Sequence, residues 1–134
     1  MEFDSKYFSD FKFTKEQIIK NFDNALKDLK IAREDKISEV KFNYTYNAFI
    51  KAGIALISSY GKKVRSLPGH HIKIIEVMSA ILEDSSVDAV GNMMRSRRNT
   101  DFYDGGIDVT EKECSECLEF VSSVIERIEK LLGK

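Results

Sequence analysis

ISEVKFNYTYNAFIKAGIALISSYGK, residues 37–62, decides how the chain folds. Val40, Tyr44, Ala48, Ala52, Ala55, Leu56 and Ser59 recur at three- and four-residue spacing along it, the period of a helix face rather than of a strand. That face is rich in small residues, Ala48, Ala52, Gly53 and Ala55, which let a second helix approach closely. A face of this kind suits the centre of a bundle or the seam of a dimer, and packing within the bundle is the simpler reading. Gly61 ends the helix, and the basic stretch from Lys62 to Gly69 reads as a loop.

The segments on either side follow the same period. Thr14-Lys15-Glu16-Gln17 is a capping box, the threonine hydroxyl accepting from the third helical amide while the glutamine reaches back. Ile18, Phe22, Ala25, Leu29 and Ala32 then carry a first helix to about Glu34. His70-His71 opens a third helix with Ile72, Ile75, Met78, Ala80, Ile81 and Leu82 as its apolar residues, and Asp84, Ser85 and Ser86 cap a fourth that turns Val87, Val90, Met93 and Met94 inward. A second capping box, Thr110-Glu111-Lys112-Glu113, opens a fifth helix that runs to Leu132. No strand-like alternation of useful length and no internal repeat appears. The expected fold is therefore all-α, an antiparallel up-and-down bundle of about five helices over residues 14–134. Residues 1–13, with Phe3, Tyr7, Phe8, Phe11 and Phe13, form an aromatic arm expected to cover the bundle's own core.

Composition bounds the function. The 134 residues suit one domain with a core that needs no staples, and 43% hydrophobic against 32% charged residues describes an ordered, water-exposed globule. A formal net charge of -1 supplies no global field toward nucleic acid or anionic membrane, so any such binding has to be local. No apolar run approaches the roughly 20 residues of a membrane span, and residues 1–13 lack the apolar core of a secretory signal, which points to the cytoplasm and away from the membrane.

Two motifs that could carry chemistry read more simply as structure. Cys114 and Cys117, three apart in a helix, share a face with Val121, Val124, Ile125 and Ile128 and act as small core residues. A zinc site would want a second pair of thiolates or imidazoles, and no metal or other cofactor is expected. His70 and His71 are adjacent and cannot face one way on a helix, so helix-start capping or a packing contact is expected of them before metal binding.

The chemistry lies at the end of the fourth helix, Met93-Met94-Arg95-Ser96-Arg97-Arg98-Asn99-Thr100-Asp101-Phe102-Tyr103-Asp104-Gly105-Gly106, where the paired glycines favour a helix exit. Three guanidinium groups, a carboxamide and a phenol project from one helix end, a set able to bind phosphate or carboxylate. Asn99 is expected to tie the exit to Tyr103 by hydrogen bonds. Short connections place the end of the second helix, the start of the third, the end of the fourth and the start of the fifth at one pole. Lys62, Lys63, Arg65, His70, His71 and Lys73 should then approach Arg95, Arg97 and Arg98. The phosphate-binding candidates are Arg95, Arg98, Asn99, Tyr103, Lys63, Arg65 and His70.

The stretch Arg98-Asn99-Thr100-Asp101-Phe102-Tyr103 resembles the signature of the HEPN family, small helical bundles of prokaryotic toxins, nucleotidyltransferase partners and RNA-processing proteins, in which Arg, often followed by Asn, precedes His by four to six residues. The hairpin from Lys41 to Lys62, the turn Ser66-Leu67-Pro68-Gly69-His70-His71 and the closing helix after Val109-Thr110 fit the same layout, so the likeness spans roughly residues 14–132. The resemblance implies a homodimer, an RNA or nucleotide ligand and a nucleotidyltransferase-type antitoxin partner. In ribonuclease members it implies cleavage of RNA without metal, the arginine stabilising the phosphorane and the histidine moving the proton. Tyr103 stands at the histidine position, and a phenol with an ordinary pKa near 10 is a poor shuttle at neutral pH. A binding module without efficient cleavage is therefore expected first. The alternative is a toxin-type endoribonuclease working through Arg98 with Tyr103, His71 or His70.

Overall fold

The structure, a computed structural model, describes the backbone of residues 2–104 and 109–133, and the side chains of these apart from residues 100–104. It is an all-α bundle of helices α1 (Lys15–Glu34), α2 (Ser38–Ser58), α3 (His70–Leu82), α4 (Ser85–Asp104) and α5 (Glu111–Leu131), with a two-stranded ribbon, β1 (Phe8–Asp10) and β2 (Lys62–Val64). Both capping boxes form. Gln17 N donates to Thr14 Oγ1 at 3.1 Å while Thr14 N donates to Gln17 Oε1 at 2.8 Å. Thr110 and Glu113 repeat the pattern at the head of α5. Asp84 caps α4, its Oδ1 accepting from Ser86 N at 2.9 Å.

Helix α2 is the axle, contacting each of the other four helices as well as β2. It is buried on most of its circumference, and Phe42, Tyr46, Phe49, Leu56 and Ile57 lie at its heart. The expected stripe therefore needs correction: Val40 and Tyr44 are only partly buried and Ser59 is exposed, whereas the aromatic series Phe42, Tyr46 and Phe49 is fully enclosed. A helix surrounded by partners has no single apolar face for a periodic pattern to mark. Its small residues serve packing inside the chain. A Cβ on Gly53 would come within 2.9 Å of Ile74 Cγ2 and Met78 Cγ of α3, and one on Gly91 of α4 within 2.8 Å of Phe49 Cε2. The inward sets of α3 and α4 shift likewise, since Ile74 and Val77 are buried while Ile72 and Met93 are exposed.

The arm and the segment after α2 also depart from expectation. Residues 8–10 and 62–64 pair as antiparallel strands in the register Phe8 with Val64, Ser9 with Lys63 and Asp10 with Lys62. Arg65 N donating to Tyr7 O at 2.7 Å and Phe11 N donating to Gly61 O at 3.0 Å extend the ribbon. Phe8 is buried in the core, and Phe3 stands edge-on to it at 5.3 Å. Three-residue strands are too short to show alternation, and what pairs them is tertiary: the buried Phe8 anchors one side and the end of α2 presents the other. No helix among the described residues is long and apolar enough to cross a membrane.

Candidate functional site

The head of α3 is shaped by its approach. Gly69 is the N-cap residue at φ 82°, a left-handed conformation natural to glycine. This turn sets His70 and His71 on the end of the helix. His70 Nδ1–H donates to Leu67 O at 2.7 Å and so closes the turn, while the Tyr7 hydroxyl reaches Pro68 O at 3.4 Å from the arm. A Cβ on Gly69 would meet Tyr7 Oη at 3.7 Å, ordinary contact, so Gly69→Ala carries a conformational cost and no clash. We expect it to lower stability by about 1–2 kcal/mol, read from the urea midpoint.

His71 turns to the core side. Its Nδ1 lies 2.9 Å from Tyr46 Oη, and its ring packs against Tyr46 at 5.7 Å and against His70 at 4.5 Å. Burial pushes the Tyr46 phenol up to about 12, outweighing the lowering by Arg98 and Arg95, so the hydroxyl keeps its proton. Tyr46 Oη and His71 Nδ1 share one hydrogen bond, whose donor is set by the imidazole tautomer. Burial, with smaller contributions from His70, Arg98 and Arg95, pulls His71 down to about 4, so the ring is neutral at pH 7.

Helix α4 brings the cations. The Arg98 guanidinium carbon sits 5.2 Å from the centroid of Tyr46, a cation–π contact on the ring whose hydroxyl serves His71. Arg95 Nε donates to Asn92 Oδ1 at 3.2 Å. Neither Arg95 nor Arg98 forms an ion pair among the described residues. Between α4 and the head of α3 lies a cleft of about 350 Å³ lined by residues 66–69, His70, His71, Ile72, Arg95 and Asn99.

The structure thus brings Arg95, Arg98, Asn99, His70 and His71 to one place. It does not bring the whole expected pole there. Arg97 is ion-paired to Glu113 of the α5 capping box, Lys62 to Asp10, and Lys73 to Asp4 at 3.8 Å and Glu76 at 3.6 Å. Lys63 sits over Phe11, 5.3 Å from its ring, and lines a neighbouring cleft. The backbone of Arg65 is held by Tyr7, and this residue does not line the Arg95 cleft. Helix α5 begins beside the start of α2, where Cys114 Sγ donates to Ser38 O at 3.1 Å, and not beside the end of α2 as expected. Tyr46 meets His71 and Gly53 meets Ile74 and Met78, so α3 runs along α2 in the same sense and not antiparallel to it: residues 59–69 return the chain and set the head of α3 beside the first half of α2. Tyr103, its bond to Asn99 and the Gly105-Gly106 exit lie outside the described side chains and residues.

Tyr46 is the site residue the sequence reading passed over. The signal was the spacing of Phe42, Tyr46, Phe49 and Gly53, a second stripe beside the one chosen. Cys114 and Cys117 are free and buried, and burial pushes the Cys117 thiol up to about 11, which leaves it unreactive at neutral pH. No group of three or more His, Cys, Asp and Glu side chains among the described residues is placed to hold a metal ion. No protein-family profile, curated protein or solved structure matches the chain.

Proposed function

We propose that the chain is a HEPN-like module whose α3–α4 cleft binds a phosphate-bearing ligand, a nucleotide or an RNA backbone, without efficient cleavage. The observation that carries this reading is the convergence of two guanidinium groups free of acid partners among the described residues on the His71 imidazole, Arg95 lining the cleft and Arg98 beside it on the Tyr46 ring. Each guanidinium is a donor, and a phosphate is an acceptor on every side. Weak cleavage follows from the same geometry. Burial and the neighbouring cations hold His71 at about 4, which makes it a weak base for the proton of an attacking 2′-hydroxyl. Arg98 stays protonated throughout.

The test compares wild type, Arg98→Ala and Tyr103→His for nucleotide and RNA affinity across salt and for RNA cleavage without divalent metal. Wild type is expected to bind with a steep salt dependence and to leave RNA intact. Arg98→Ala should weaken binding on the order of 10- to 100-fold, the equivalent of one charge-assisted hydrogen bond. Cleavage that emerges in Tyr103→His would reveal a latent active-site geometry. One observation favours the endoribonuclease alternative, namely that Arg98 and His71 meet on the same Tyr46 ring. Strong wild-type cleavage abolished by His71→Ala would establish that reading in place of ours.

The HEPN reading carries with it a homodimer, a nucleotidyltransferase-type partner and a cytoplasmic setting. The small-residue face of α2 is consumed inside the chain, so a dimer would use another surface. Among the described residues, Ile72 is an exposed apolar side chain lining the cleft, and Met93 is another on α4. Light scattering at tens of micromolar is expected to give twice the 15.3 kDa chain mass, and a monomer mass would remove the dimer from this reading.

A further inference from the structure

A second cleft adjoins the first. It measures about 260 Å³, lies between the arm, α1, the end of α2 and β2, and is lined by Phe13, Asn21, Ile54, Lys62, Lys63 and His70 among others. His70 and Ser66 line both clefts, which are therefore neighbours on either side of these two residues. The two differ in chemistry. The first gathers guanidinium and imidazole donors, whereas the second sets an aromatic and an aliphatic wall beside a carboxamide and two ammonium groups. Phe11 is 42% exposed beside it, its ring 4.5 Å from Phe13 and 5.3 Å from the Lys63 ammonium.

An apolar slot large enough for one heterocyclic base, with an amide to meet the edge of that base and cations on either flank, is the arrangement by which proteins hold single-stranded nucleic acid: bases against flat apolar side chains, phosphates along a basic path. We propose that the two clefts form one track for a single-stranded nucleic-acid segment. One phosphate lies at Arg95 and Arg98, the adjoining base stands against Phe13 with Asn21 at its edge, and Lys63 takes the next phosphate. This rests on the phosphate-binding reading of the first cleft and extends it from a point to a path. A duplex fits poorly, because its bases are stacked on one another and cannot enter the Phe13 slot.

The test uses the full chain and fluorescence anisotropy with labelled hexauridylate, competed by uridine monophosphate, inorganic phosphate and polyglutamate. Hexauridylate is expected to bind at least about tenfold more tightly than inorganic phosphate, the gain of one stacked base and one further phosphate contact. Phe13→Ala should weaken hexauridylate and uridine monophosphate about fivefold or more, and Lys63→Ala hexauridylate alone, while neither changes the affinity for inorganic phosphate. Arg98→Ala should weaken all three. Because Phe13 is partly buried, Phe11→Ser on the exposed ring beside it serves as a second probe, with circular dichroism confirming the fold of each variant. Equal affinity for hexauridylate and inorganic phosphate, or hexauridylate binding indifferent to Phe13, Phe11 and Lys63, overturns the track and leaves the first cleft's reading intact. Absence of binding by every phosphate compound overturns both. Polyglutamate competing as well as hexauridylate would assign the path to an acidic protein partner and overturn the nucleic-acid proposal.

Discussion

Phe49→Ala is expected to lower stability by about 3–5 kcal/mol, the range for truncating an enclosed aromatic, against a total of only about 5–15 kcal/mol for a domain of this size. Phe49 is fully buried on α2, with its ring edge against Gly91 of α4. The same contact makes a sharper test from the other side. Gly91→Ala would gain about 1 kcal/mol in helix propensity at an ordinary site. Here its Cβ would fall 2.8 Å from both Phe49 Cε2 and Ile75 Cγ2, well inside van der Waals contact. Overpacking of this kind costs about 1–3 kcal/mol, so Gly91→Ala should destabilise despite the better propensity. Phe49→Leu opens space at that ring edge, and adding Gly91→Ala in its background should cost less than it does alone. Urea titrations of the two single variants and the double variant measure the coupling. Strict additivity would mean that the α2–α4 approach does not depend on this pair.

The same crossing shows which parts of the architecture were legible. The two capping boxes marked the heads of α1 and α5 because a cap is local: Thr14 and Gln17, or Thr110 and Glu113, satisfy orphan amides within one turn. Asp84 likewise announced α4. The β1–β2 ribbon was not legible, since Phe8 and Val64 lie far apart in sequence and neither three-residue strand has a pattern of its own. Nor was the orientation of α2, whose partners on all sides erase the amphipathic signal. The convergence of His70 and His71 with Arg95 and Asn99 could be anticipated because α3 and α4 are joined by a short turn and must lie side by side. The capture of Arg97 by Glu113 could not, because it depends on the return of the chain between α2 and α3, which sets the head of α3 beside the first half of α2. Tyr46 links these two limits: misjudging the orientation of α2 hid the residue that holds His71 and carries Arg98 on its ring.

That linkage gives the second large effect, a loss of stability in mild acid centred on His71. An unfolded histidine titrates near 6.5, while burial together with His70, Arg98 and Arg95 holds folded His71 at about 4. Between those values the unfolded chain binds the proton that the folded chain refuses. Stability therefore rises with pH across this window, falls as pH drops from about 6.5 to about 4, and loses nothing further from this group below it. The ring is only partly buried, so solvent screening reduces the full linkage, and the expected loss is on the order of 1–2 kcal/mol. Carboxylates held low by their partners, Asp10 by Lys62, Asp84 by Ser86 and Arg127, and Glu113 by Thr110 and Arg97, also lose stabilising interactions in acid. They do so equally in His71→Gln, which keeps a hydrogen-bonding side chain but does not titrate. The difference between wild type and His71→Gln in melting curves from pH 7 to pH 4 isolates the imidazole, and parallel curves would show that His71 ionises freely in the folded chain. The ligand enters through the same equilibrium. A phosphate seated against Arg95 and Arg98 replaces their repulsion of the imidazolium with attraction, so the His71 titration followed by proton NMR should move upward when uridine monophosphate is added. By reciprocity the monophosphate should bind more tightly as pH falls toward that titration. An imidazole titration untouched by a bound nucleotide would place the ligand away from His71 and Tyr46.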